Sequence, residues 1–308
     1  MTAPGTGQPS TTDDGLALHG IGVRFGGLTA LDDVSLQVAP GRVVGVIGPN
    51  GAGKTTLFNV ICGFVTPSSG SLTLDGARFR PRPHRLTRLG IARTLQGVGL
   101  FAGLTVLENV MAGATGGARA GFAAALLGLP PSDRDEQRLR ERAYELLAEL
   151  GVAAHAGALP GTLPYAVGKR VALARALAAE PRLLLLDEPA GGLGSEDIAE
   201  LGELIRALPR EHGCAVMLVE HHMDLVMSVC DEIVVLDFGR RIAAGSPDDI
   251  RDDPAVAEAY LGAEPADADA DTDADTDADA DTDAEHGADN AEADNAEAGA
   301  VVKPEGVR

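Results

Sequence analysis

Tryptophan is absent from the 308 residues, and all aromatics together make up only 3% of them. A nucleic-acid platform that stacks bases on exposed rings has too few rings here. Cysteine is scarce as well: Cys62, Cys214 and Cys230 are odd in number, far apart and set in apolar runs without a CxxC spacing. They read as reduced, cytosolic-type thiols packed as small hydrophobes rather than as a disulfide framework. No apolar run approaches the roughly 20 residues of a membrane-spanning helix, the longest being the stretch from Ala120 to Leu129. The opening MTAPGTGQPSTTDDG is polar, with neither a basic start nor an apolar core, so a secretion signal is not expected. Basic charge is also short, with 25 Lys and Arg against 46 Asp and Glu and a net charge of -21. Residues 263–308 hold 16 of those acids and two bases, Lys303 and Arg308, which leaves 23 bases against 30 acids in residues 1–262. An acidic body offers no broad basic face, and no nucleic-acid partner is expected.

What is present is a chain that is 45% hydrophobic, enough for a sizeable core. Residues 16–38 read as two strands and a turn, broken at Gly26-Gly27 and at Asp32-Asp33. Residues 42–47, apolar on both faces, read as a buried strand, followed by a glycine-rich loop and a helix from Lys54 to Val65. A strand pair is expected around Asp75-Gly76. From Leu104 to Leu177 the period becomes helical, most clearly in RLRERAYELLAEL (Arg138 to Leu150). Strand signals resume at Leu183 to Leu186, Ala215 to Val219 and Ile233 to Leu236, separated by helical stretches such as Ser195 to Leu208. Strand and helix alternating on both sides of a helical insert predict an α/β fold with a parallel core and a helical subdomain, about residues 97–178. The two-residue acidic alternation from Ala263 onward carries no apolar side chain large enough to offset its ordering entropy. Residues 1–14 and 263–308 are thus expected to be disordered flanks of a domain spanning 15–262.

The strand ending at Ile47 runs into Gly48-Pro49-Asn50-Gly51-Ala52-Gly53-Lys54-Thr55-Thr56, which matches G-x-x-x-x-G-K-[ST] at every fixed position. Such a loop turns its backbone N–H groups around a β-phosphate while the following helix aims its positive end at the same anion. Lys54 is placed to meet the β- and γ-phosphates, and the Thr55 hydroxyl to hold Mg²⁺. The apolar strand Leu183 to Leu186 closes on Asp187-Glu188. Downstream of a phosphate loop, Asp187 is the expected Mg²⁺-orienting acid and Glu188 the carboxylate that polarises the attacking water.

Taken with RFGGLTALDDVSL (Arg24 to Leu36), GIARTLQ (Gly90 to Gln96), LFAGLTVLENV (Leu100 to Val110), VEHHMDLVMSVCD (Val219 to Asp231) and AYLG (Ala259 to Gly262), these motifs carry a resemblance. The chain resembles the ATP-binding subunits of ABC transporters, specifically the branched-chain amino acid, or Liv-type, importer branch. The resemblance implies a P-loop NTPase fold with a RecA-like parallel core, an antiparallel β subdomain and a helical subdomain. It further implies that Phe25 stacks on adenine, that Gln96 contacts Mg²⁺ and the nucleophilic water beside the surface meeting the membrane subunit, and that His221 reaches the γ-phosphate. His222 stands where relatives usually carry an acid. A metal site on the histidine pair is disfavoured, because HHMD lacks the i, i+4 histidine spacing of zinc enzymes.

Leu163-Pro164-Tyr165-Ala166-Val167 aligns with the family's signature motif, which acts in trans on the γ-phosphate of the opposite protomer. Ala166 replaces a glycine and Val167 a polar residue, ahead of a helix expected at Lys169 to Leu177. Ala166 adds a methyl group and restricts positive φ if the position needs it. Gly194 stands where relatives have Asp or Asn. The resemblance implies an ATP- and Mg²⁺-dependent hydrolase at the cytoplasmic face of the membrane. Its implied partners are ABC permeases, a second ATP-binding subunit and, indirectly, an extracellular solute-binding protein. Two alternatives remain at this point: a soluble ABC ATPase without permeases, and a regulatory ATP-binding subunit with weak turnover.

Overall fold

Every residue of Val43–Ile47, Leu183–Asp187 and Ala215–Val219 is buried, as strands must be when both faces of a sheet are covered. The computed structural model of the chain describes residues 15–94, 97–114 and 130–261, with side chains from residue 136 onward in the last segment. The expected flanks, and Gln96, lie outside these residues. The three buried strands, β3 (Val43–Ile47), β7 (Leu183–Asp187) and β8 (Ala215–Val219), join β6 (Ile91–Arg93), β9 (Glu232–Asp237) and β10 (Arg240–Gly245) in a six-stranded sheet of order β10-β9-β3-β8-β7-β6. All pairs are parallel except β9 with β10. The strand period of two sorts their side chains into two cores. Val44, Val46, Leu183, Leu185, Met217 and Leu236 face one layer, and Val43, Ile47, Leu184, Leu186, Val216 and Leu218 face the other.

The first layer holds α1 (Lys54–Ile61) and an antiparallel sheet of order β2-β1-β4-β5, built from β1 (Leu16–Phe25), β2 (Leu28–Val38), β4 (Ser69–Leu74) and β5 (Ala77–Phe79). Asp32-Asp33 does not break the second strand. Leu31, Val34, Leu36 and Val38 are all buried, and the sheet keeps that pattern by absorbing an irregular residue at Asp33 (φ 59°), where the register to β1 shifts. Helix α1 ends at Ile61 rather than Val65, because the chain turns at Cys62-Gly63 and Phe64 N–H returns to the Asn59 carbonyl.

The second layer is helical. Helix α2 (Val106–Gly113) starts from a capping box in which Thr105 and Glu108 satisfy each other's backbone N–H groups. It packs with α3 (Pro130–Glu149) and α4 (Tyr165–Leu177) through Val106, Val110, Leu146, Leu147, Val171 and Leu177. Helix α4 begins four residues earlier than the expected Lys169, with Pro164 as its N-cap, so the signature is the first turn of a helix. Helices α5 (Ser195–His212), α6 (Met223–Val229), α7 (Pro247–Arg251) and α8 (Pro254–Leu261) complete the described elements. Among the described residues no helix is long and apolar enough to cross a membrane. The three thiols are buried and free; burial pushes the Cys230 thiol up to about 12, which makes it unreactive at neutral pH.

Candidate functional site

The centre of the sheet carries the phosphate loop. β3 is flanked by β8 and β9, and its C-terminal end opens directly into residues 48–53, after which α1 begins. Two backbone positions in this loop admit only glycine. Gly48 has φ 146°, and a Cβ there would lie 2.0 Å from the Leu236 carbonyl oxygen. Gly53, the N-cap of α1, has φ 100°, and its Cβ would lie 2.7 Å from the Ala30 carbonyl oxygen. The loop is thereby pinned between β2 and β9. The first-turn N–H groups of α1, from Lys54 on, have no partner within the helix. Together with the helix dipole they make a site for an anion.

Lys54 is buried, and its ammonium donates to the Gly48 and Pro49 carbonyls at 2.6 and 2.9 Å. Burial lowers its pKa, while the negative charge of Glu188 raises it in part. The lysine of the loop and the acid after β7 therefore share one electrostatic environment. Asn50, Gly51 and Thr55 are exposed, Pro49, Gly53 and Thr56 half-buried, and Ala52 buried. Phe25 is 52% exposed and pairs with Leu28 at the tip of the β1–β2 hairpin, whose second strand meets Gly53 at Ala30 and Leu31.

The two acids after the buried run are placed differently. Asp187 is only 5% exposed and accepts from Arg93 Nη2 at 2.6 Å. Glu188 is half-buried and has φ 47°, a left-handed conformation that costs a side-chain-bearing residue about 1–3 kcal/mol. Its own backbone holds it there: Glu188 N–H donates to the Val219 carbonyl at 2.9 Å, and its carbonyl accepts from Lys169 Nζ at 3.2 Å.

His221 follows β8 and is exposed, with its ring 4.6 Å from that of His222. Both backbone N–H groups donate to Oε2 of Glu220, at 2.8 and 3.1 Å, while Glu220 Oε1 accepts from Ala190 N–H at 2.7 Å. Glu220 is completely buried. One carboxylate thus ties the segment after Glu188 to the histidine segment. Sequence reasoning missed it; the available signal was a lone acid directly after the all-buried AVMLV run. Lys169 and Arg93 were missed likewise, since each acts through a partner distant in sequence.

The signature residues sit on the first turn of α4. Tyr165 is 46% exposed, and Lys169 Nζ lies 5.4 Å from its ring centroid; Gly192 approaches so closely that a Cβ there would meet the ring at 3.0 Å. Ala166 is not among the residues with positive φ, which corrects the concern about backbone strain at that position. Leu163 and Val167 pack against the helical-layer core, so Val167 exchanges a polar side chain for apolar contact. Gly194 is the N-cap of α5 with extended backbone and no capping side chain.

The donor set also fits a hard divalent ion: a buried carboxylate at Asp187, balanced by a guanidinium, and the hydroxyl of Thr55 on the first turn of α1 offer oxygen alone, as Mg²⁺ prefers.

A family model described as ABC transporter matches residues 31–191, and one described as branched-chain amino acid ATP-binding cassette transporter matches residues 240–266. The high-affinity branched-chain amino acid transport ATP-binding protein BraF of Pseudomonas aeruginosa is 42% identical over 248 residues, which cover 80% of this chain and 97% of the relative. LivG of Salmonella typhimurium, of the same description, is 40% identical with the same coverage. Among solved structures, a nucleotide-free ATP-binding cassette from an ABC transporter superposes with a TM-score of 0.69 at 29% identity, covering 80% of this chain and 98% of that one.

Proposed function

Because the chain belongs to the ATP-binding cassette family of ABC transporters, we propose that it is the ATP-hydrolysing subunit of an importer for branched-chain or related small amino acids. The observation that carries the reading is Lys54, buried at the mouth of α1 and held by the Gly48 and Pro49 carbonyls. An ammonium so placed is ready to exchange two carbonyl contacts for the β- and γ-phosphates of ATP. The loop N–H groups and the start of α1 take up the remaining phosphate charge. Glu188, fixed by its strained turn, accepts the proton of the attacking water, and His221 supports the γ-phosphate from the neighbouring strand. Thr55 and Asp187 hold Mg²⁺, with Gln96, and the ion supplies neutralisation of the phosphate charge.

Leu163 to Val167, which lead into and form the first turn of α4, serve the ATP of a second cassette, so the working unit is a dimer with this chain or another nucleotide subunit. Energy passes to separate permeases, which receive solute from a binding protein outside the cell. The cassette sits peripherally on the cytoplasmic face of the membrane. The solute class follows from the names of the relatives.

Two experiments test the reading. Lys54→Ala should abolish ATP binding in calorimetry, since among the described residues Lys54 is the cation that donates to the loop carbonyls; unchanged affinity would overturn the assignment. Reconstitution with the adjacent permeases and binding protein should give ATPase stimulation by leucine, isoleucine or valine. Stimulation only by an unrelated solute would retain the ATPase and reject the substrate class.

A further inference from the structure

Arg93 lies on β6, inside the GIARTLQ segment but without a role assigned to it above, yet it makes the closest ionic contact in the site. Its Nη2 stands 2.6 Å from Asp187 Oδ2, with the two side chains 16% and 6% exposed. The guanidinium is held from the other side by α1 and its exit. Its carbon lies 5.4 Å from the Phe58 ring centroid and 5.8 Å from that of Phe64, and Nη1 donates to Asn59 Oδ1 at 3.3 Å. Meanwhile Nε is buried without a hydrogen-bond partner. A buried donor left unmet costs stability, and a buried ion pair recovers little beyond its own desolvation. The next residue repeats the link: Thr94 N–H donates to the Leu185 carbonyl at 2.9 Å, and Thr94 Oγ1 accepts from Asp187 N–H at 3.4 Å. Residues 93 and 94 thus join Asp187 to the strand that leads into Gln96.

We propose that Arg93 is a positioning residue, the resident counter-cation of Asp187 in the nucleotide-free protein, which holds the carboxylate in place and competes with Mg²⁺ for its charge. This rests on the reading of Asp187 as the Mg²⁺-orienting acid. Arg93 places α1, β6 and β7 around one carboxylate, so the site is assembled before the metal nucleotide arrives. It also sets how strongly the site draws the ion, because a fixed positive charge beside the carboxylate opposes a second one at low effective dielectric.

The test uses the full chain carrying Arg93→Met, Arg93→Lys, Asp187→Asn and the Arg93→Met/Asp187→Asn pair. It reads thermal melting without nucleotide, with ATP and EDTA, and with ATP over a Mg²⁺ titration. Arg93→Met should melt on the order of 5 °C lower without ligand, and Mg²⁺ with ATP should restore more of that loss than it adds to the parent. Its half-saturating Mg²⁺ concentration should fall roughly threefold or more, the scale of one weakly screened charge. Arg93→Lys, which keeps the charge, should track the parent in Mg²⁺ response. The double variant should melt above Arg93→Met, since it leaves no unpaired buried carboxylate. Equal destabilisation with and without Mg²⁺, at an unchanged half-saturation, would mean that the side chain only packs and would overturn the proposal. Should Arg93→Met not fold, a Mg²⁺ response of Arg93→Lys unlike the parent's, or a double variant that also does not fold, would overturn it equally. ATP binding in EDTA should be the same in Arg93→Lys, which keeps the local charge, as in the parent. Its loss from the parent itself would refute the phosphate-loop reading instead.

Discussion

The phosphate-loop half of this cassette and its signature half meet different structural demands. In the first, Gly48, Gly53 and Glu188 all occupy positive φ: the two glycines lie where a Cβ would strike a neighbouring carbonyl, and at Glu188 backbone hydrogen bonds enforce the strain. In the second, Tyr165, Ala166 and Val167 lie in ordinary helical backbone, and Gly194 has open space around it. The motif matches expected from the sequence lie in the first half, and the expected departures, Ala166, Val167 and Gly194, lie in the second. Those departures stand where the backbone tolerates them, and a motif mismatch there is not by itself a broken site. What Ala166 and Val167 retain is the set of N–H groups at the start of α4, which side-chain identity does not remove.

This contrast can be broken or sharpened by substitution. The largest effect is expected from Gly48→Ala, which combines a clash with Leu236 and a forbidden backbone angle; it should cost about 3 kcal/mol or more in chemical denaturation. A cost below about 1 kcal/mol, the scale of an ordinary surface change, would show that the loop can relax and that the contrast is overstated. A smaller response is expected from Ala166→Gly with Val167→Gln. Because the donors on α4 are backbone groups and already present, ATPase turnover of the self-associated chain should rise by roughly twofold to tenfold, below the 10² or so that a lost donor would cost. No gain would make the substitutions neutral, whereas a gain far above tenfold would mean that the signature is impaired and that the chain depends on a different partner subunit. Smallest of all, Gly194→Asn should add about a few tenths of a kcal/mol by capping α5, read as a small rise in the urea midpoint; a fall would show that the open space is needed in the assembled dimer.

The phosphate loop was legible because its glycine spacing encodes backbone geometry directly, and β7 because four leucines followed by two acids allow little else. The helical layer was legible from its period. The start of α4 was not, since Pro164-Tyr165-Ala166-Val167 carries no polar N-cap and reads as loop, while tertiary packing of Leu163 and Val167 winds it into helix. Asp33 was misjudged because turn chemistry suggests a break, but burial of the alternating apolar residues holds the strand together. β6 and β10 escaped notice for a related reason: one is three residues long, and the other is a polar, glycine-ended edge strand. Arg93 and Glu220 were invisible to motif reading, because their meaning lies in pairs 94 and 30 residues apart.

In the proposed reading Glu188, held on a strained turn directly after β7, activates water for ATP hydrolysis. Glu188→Gln preserves size and hydrogen bonding but removes the proton acceptor. Steady-state hydrolysis by the full chain should fall by about 10²- to 10⁴-fold while ATP affinity stays near that of the parent. Hydrolysis within roughly twofold of the parent, about half a kcal/mol of barrier, would place the general base elsewhere and contradict the account.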